Sequence, residues 1–169
     1  MNTHKLCNAI VSQMKAALAT LQQCIDTCPD AEWHQAHGDY PFSQVVFHTL
    51  FFTDYYLERD EASFTTQEFH REHPAFFKDY EELEWKEPVN VYDRGDCERY
   101  LAFCVDKCAA TIAGDDEQSL FGTSGFASKS FSRVELYSYV IRHIQHHAAQ
   151  LGLRVQLLTG KELTWINRD

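Results

Sequence analysis

The sequence predicts an all-α fold: a four-helix bundle with long connections between helices 2 and 3 and between helices 3 and 4. Three observations predict it. Apolar residues recur at spacings of three and four over four long segments, the period of a helix with one buried face. Proline, glycine and capping residues bound those segments. No convincing pair of strands lies between them, and long helices without strands pack as an α bundle.

The first helix, roughly Thr3 to Cys28, sets Leu6, Ile10, Met14, Leu18, Leu21 and Ile25 in one stripe, with Lys5, Gln13, Lys15 and Gln23 elsewhere. Pro29 ends it. A short connection with Trp33, His34, His37 and Gly38 leads to a second helix from about Pro41 to Leu57. Pro41 suits a first helical turn. This helix is nearly all apolar (Val45, Val46, Phe47, Leu50, Phe51, Phe52, Tyr55, Tyr56, Leu57), which predicts burial on most sides. Glu58 to Tyr92, with Pro74 and Pro88 inside it, is the least periodic stretch and reads as an excursion with a short helix around Pro74 to Glu82. Excursions of that length in a domain often serve as lids or interface segments. Asp93 is the expected N-cap of a third helix to about Ala113, with the stripe Cys97, Leu101, Cys104, Val105, Cys108 and Ile112. Gly114 closes it, and a Gly-, Ser- and Thr-rich loop covers Asp115 to Phe131. Ser132-Arg133-Val134-Glu135 is a capping-box pattern opening a fourth helix to about Thr159, where Gly160 is a natural terminator. No repeat or low-complexity linker divides the chain, so 1–169 is read as a single domain.

The bulk properties remove several function classes. With 44% hydrophobic and 24% charged residues, the 169-residue chain has enough apolar material for a core and no signature of disorder. Its net charge is −10 and its 15 Lys and Arg are scattered, which argues against gripping a nucleic-acid backbone. No stretch approaches the ~18 apolar residues that a membrane span requires. Met1 to Cys7 has one Lys and no apolar run, unlike a signal peptide. Six cysteines without an export signal fit reduced thiols in the cytoplasm.

The histidines carry the chemistry. With Ile144 of the fourth helix set to zero, ~100° per residue places Tyr137, Val140, Ile141, Ala148, Leu151, Val155 and Leu158 within about 60° of it. His147 falls at about −60° and His143 at about −100°, both flanking the stripe on one side, while His146 at about −160° faces away. His143 and His147 are also i and i+4, a spacing that lets two imidazoles converge on one ion. On the second helix His48 shares its face with Val45, Phe52 and Tyr55, where a desolvated imidazole needs a partner. Two His from one helix and a third from a neighbour make a three-ligand metal site with positions open to water or substrate. Tyr55 and Tyr139, placed one turn from His48 and His143 respectively, are candidates to orient the ligands or a bound water.

Other clusters are weaker. Cys24 with Cys28 and Cys104 with Cys108 have i,i+4 spacing, but Cys104 and Cys108 lie in a core stripe, where free Cys packs as a small hydrophobe. Glu68, His70, Glu72 and His73 read as a solvated polar face, and Asp115, Asp116 and Glu117 as an acidic loop without EF-hand spacing. No H-E-x-x-H, E-x-x-H, G-x-G-x-x-G, Walker loop or G-x-S-x-G occurs, so zincin, di-iron, nucleotide-binding and serine-hydrolase readings lack their motifs.

With these residues the sequence resembles the DinB/YfiT-like family of metal-binding four-helix bundles over most of its length. A His falls early in the second helix, within Val46-Phe47-His48-Thr49-Leu50. A long second-to-third connection follows. The His pair of the last helix stands in His143-Ile144-Gln145-His146-His147-Ala148-Ala149-Gln150-Leu151. The resemblance implies His48, His143 and His147 as ligands of one divalent ion, zinc or nickel, the same three residues that the helix angles select. Relatives often carry Arg-Gly before the Gln that follows the final His. Here Ala148-Ala149 replaces it and Gln150 is kept as a further residue supporting the ligands, so a substrate contact through that arginine is not carried over. The resemblance also implies a homodimer acting on a small-molecule substrate, either as a thiol S-transferase using a low-molecular-weight thiol or as a hydrolase. Phe69, Phe76, Phe77 and Trp85 are of the type that anchors interfaces. The alternative is a non-catalytic bundle that binds a small ligand or a protein partner, with structural histidines.

Overall fold

The periodic segments of the sequence all become helices in the computed structural model, which describes residues 2–38, 40–83 and 90–168. In chain order they are α1 (Thr3–Thr27), α2 (Phe42–Leu57), three short helices α3 (Glu61–Phe64), α4 (Glu68–Glu72) and α5 (Pro74–Phe77), then α6 (Arg94–Ala113), α7 (Glu117–Phe121) and α8 (Arg133–Thr159). Among the described residues there are also two 3-10 turns, Asp30–Glu32 and Lys78–Leu83. The four long helices have 25, 16, 20 and 27 residues, and α1 and α2 each pack against both α6 and α8. Among the described residues the only extended pairings are isolated bridges, Ala36 to Pro41 and Thr123 to Ser132. No helix among them is long and apolar enough to cross a membrane.

Local chemistry sets the helix ends. Asn2 accepts the Lys5 N–H at 3.2 Å and Asp93 accepts the Gly95 N–H at 2.8 Å, each satisfying an orphan donor of a first turn. Glu135 accepts both the Ser132 backbone N–H (2.8 Å) and its hydroxyl (2.6 Å) at the start of α8. Gly160 ends α8 with φ of 71°, a left-handed conformation that costs a glycine little. Pro41 stands one position earlier than expected, as the N-cap of α2. At the other end of α2, Arg133 donates to the carbonyls of Leu57 (3.0 Å) and Glu58 (2.6 Å), so a buried cation from α8 closes α2 where its carbonyls lack partners.

The core runs the length of the stripes. Met14, Leu18, Leu21 and Ile25 of α1 meet Val46, Leu50 and Phe51 of α2, Cys97, Cys104, Cys108 and Ile112 of α6, and Tyr137, Val140, Ile144 and Leu151 of α8. All six cysteines are free and buried. Leu158 is an exception to the predicted α8 stripe and is exposed.

The excursion after α2 is more structured than its sequence predicts. The expected short helix is split into α5 and the 3-10 turn, with Lys78 at φ of 30° between them, and α3 and α4 precede it. Its aromatic residues pack inward. Phe69 stacks on Phe103 (centroids 4.2 Å apart), Phe76 meets Phe47 edge-on at 5.0 Å, and Phe77 is buried. These rings are therefore satisfied within the chain and do not stand out as interface anchors; Trp85 and Pro88 lie outside the described residues.

His70 corrects a second expectation. It is buried, not part of a solvated face, with Nε2 2.7 Å from Asp54 Oδ2. Asp54, fully buried on α2, also accepts from the Tyr100 hydroxyl at 2.7 Å, from Gln67 at 3.2 Å, and from Lys107. A carboxylate in an apolar interior needs such partners. Here they draw the excursion onto α2 and α6. The loop before α8 likewise contains α7, capped by Asp116 on the Ser119 N–H at 2.8 Å, and Asp115 accepts the Tyr137 hydroxyl at 2.6 Å.

Candidate metal centre

α2 and α8 pack face to face and bring His48, His143 and His147 into one cluster. One ligand-type nitrogen from each lies within 4.8 Å of the other two, and no other group of three or more His, Cys, Asp or Glu side chains meets that test among the described residues. All three are half-buried, whereas His146 is exposed, as the angles around α8 require. The His48 and His143 Nε2 atoms stand 3.3 Å apart. Two nitrogens bound to one tetrahedral ion at ordinary zinc–nitrogen lengths are about 3.4 Å apart.

The environment keeps the α8 imidazoles neutral. Burial, reinforced by the neighbouring His147 and His48, lowers the His143 pKa to about 3. Burial also lowers that of His147 to about 4, against a hydrogen bond to Gln150 that acts the other way. Neutral imidazole is the form with a lone pair to donate. Among the described residues His143 Nδ1 is buried without a hydrogen-bond partner, and Nε2 is the atom of this ring that faces His48. The donor set therefore fits a divalent borderline cation such as zinc or nickel.

The supporting residues divide. Gln150 Oε1 is 2.8 Å from His147 Nδ1, a contact that leaves the other ring nitrogen, Nε2, out of this bond. Tyr139 lies nearly parallel to the His143 ring, with centroids 6.5 Å apart, and packs against it. Tyr55 is not brought to the histidines. It shares a face with His48, but seven residues at 1.5 Å rise separate the two by about 10 Å along the axis. Its ring packs on Phe64 and Phe126, and burial together with Glu61 raises its hydroxyl pKa to about 12. Phe52 occupies the nearer turn, edge-on to His48 at 4.9 Å and to His143 at 6.0 Å, and forms an apolar wall of the site.

Sequence reasoning missed Glu82. From the 3-10 turn of the excursion its Oε2 lies 2.9 Å from His48 Nδ1, and its Oε1 accepts from Gln44 Nε2 at 2.6 Å. No local pattern marks a residue 34 positions from its partner. Asp54 was findable, since a lone carboxylate among Phe51, Phe52, Tyr55 and Tyr56 must have a buried partner.

Against known proteins, the sequence profile described as the DinB superfamily matches residues 13–151, a span that includes His48, His143, His147 and Gln150. No curated protein and no solved structure matches the chain.

Proposed function

The chain belongs to the DinB superfamily, and from that premise we propose that it is a divalent-metal-dependent enzyme acting on a small molecule, either a thiol-dependent S-transferase or a hydrolase. The observation that carries the proposal is the convergence of His48, His143 and His147. A divalent ion bound there supplies Lewis acidity, lowering the pKa of a thiol or a water so that a nucleophile exists near neutral pH. The chain's own contribution is to hold three imidazoles together, two of them kept neutral by burial, to orient His147 through Gln150, and to shield one side with Phe52 and Tyr139. Three protein donors leave coordination positions for substrate.

A second reading is supported by the 3.3 Å approach of His48 and His143 Nε2, which also suits a direct hydrogen bond. In that reading the histidines are structural and the protein binds a ligand or partner without catalysis. Elemental analysis of the untagged protein beside His48→Ala and His147→Ala separates the two. Near one zinc or nickel per chain in the parent, lost in both variants, supports the enzyme. A parent that takes up neither metal on incubation leaves only the structural reading. With metal bound, consumption of a low-molecular-weight thiol in the presence of an electrophile distinguishes the transferase from the hydrolase. The proposal includes a four-helix bundle elaborated by short helices, forming one domain over 1–169, and a cytoplasmic homodimer.

A further inference from the structure

Glu82 is the acidic side chain hydrogen-bonded to the three-histidine cluster among the described residues, and only 8% of it is exposed. Both its oxygens are used, one on His48 and one on Gln44, a residue one turn earlier on α2. A carboxylate can only accept. In the neutral ring, the form that can bind a metal, the bond places the His48 proton on Nδ1 and leaves Nε2 as the lone pair on the side facing His143.

We propose that Glu82 is a positioning residue of the metal centre, and that the segment 58–83 is the arm that presents it. The proposal rests on the metal-centre reading above and adds to it a specific division among the ligands. His48 gives its Nδ1–H to a carboxylate, His147 gives its own to the neutral Gln150, and His143 has no partner at Nδ1 among the described residues. A carboxylate behind an imidazole fixes the ring's orientation and raises its basicity, so His48 becomes the strongest of the three donors.

The arm is built to hold this position. At its middle, His70 is fastened to Asp54, and the Tyr80 hydroxyl lies 3.1 Å from the other nitrogen of the same ring. Between that anchor and Glu82, Lys78 (φ 30°) and Tyr80 (φ 58°) adopt left-handed backbone. Such conformations are unfavourable for residues with side chains and persist where the surroundings hold them, as Asp54 does on one side and Gln44 with His48 on the other.

Zinc affinity, measured by competition with a chromophoric chelator, tests the role in Glu82→Gln, Glu82→Ala and Gln150→Ala. Glu82→Ala is expected to weaken zinc binding by about 10- to 100-fold. Glu82→Gln, whose amide oxygen can still accept from Nδ1–H, falls between parent and Ala, and Gln150→Ala loses less than Glu82→Ala. The second readout is the His48 tautomer, read by nitrogen-15 NMR in the metal-free protein above pH 7. The proton is expected on Nδ1 in the parent and distributed over both nitrogens in Glu82→Ala; where the Ala variant does not fold, Glu82→Gln carries both measurements. Zinc binding by Glu82→Ala within twofold of the parent, or a parent proton on Nε2, overturns the role of Glu82 alone. A parent that binds no zinc overturns the metal reading on which it rests.

Discussion

His143 shows how a single side chain is tuned by its surroundings. The ordinary imidazole titrates near pH 6.5, but burial and the two neighbouring rings bring this one down to about 3. Above pH 7 both folded and unfolded forms are neutral and the group contributes nothing to pH dependence. As pH falls through 6.5 the unfolded chain takes up a proton that the folded chain refuses, so metal-free stability declines from there toward pH 3. His147, at about 4, acts in the same direction. Urea unfolding of the metal-free protein at pH 7, 6 and 5 is expected to show this decline. His143→Asn, similar in size and without a titration, should remove a slope of up to about 1.4 kcal/mol per pH unit over that range. An unchanged slope in the variant would mean that His143 is protonated in the folded state.

At the level of elements, one buried carboxylate ties the excursion to both α2 and α6, beside its aromatic packing and the bonds of Glu82. Asp54 on α2 binds His70 of α4, Tyr100 and Lys107 of α6, and Gln67 just before α4. Desolvation alone would raise its pKa, but His70 and Lys107 reverse the sign and hold it below the ordinary value. Its contribution to stability is therefore complete above the unfolded carboxyl range near pH 4 and is lost only as pH falls below it. Removing one partner of a buried ion pair leaves the others uncompensated. Asp54→Ala is expected to cost about 3–5 kcal/mol, read from the shift in urea midpoint. The same variant should speed amide exchange in α4 and α5 more than in α1, because the arm loses its anchor while the long helices keep their stripes.

For the molecule as a whole, the candidate centre connects α2 to α8, and Glu82 adds the excursion as a third party. An ion that binds only the folded chain stabilises it by mass action, by about 2.7 kcal/mol at a free concentration 100 times the dissociation constant. Thermal unfolding with and without saturating zinc should show that gain in the parent and lose it in His48→Ala. Equal stabilisation in both proteins would place the zinc elsewhere.

The sequence alone determined the helical elements and the ligand candidates, because both depend on short-range periodicity. Spacings of three and four define the stripes of α1, α6 and α8, and the same 100° step separates His143 and His147 from His146. Asp93, Glu135 and Gly160 act within a few residues of themselves, so their capping roles were legible too. The excursion was not. Its helices are too short to show a period, and His70 looked like a surface residue until Asp54, 16 positions away, came to meet it. Tyr55 was misplaced because the seven positions from His48 to Tyr55 span two helical turns and about 10 Å of rise, not one turn. Glu82 was invisible for the same reason that it matters. Its role exists only when chain closure sets a 3-10 turn against α2, and no local pattern encodes a contact made by tertiary packing.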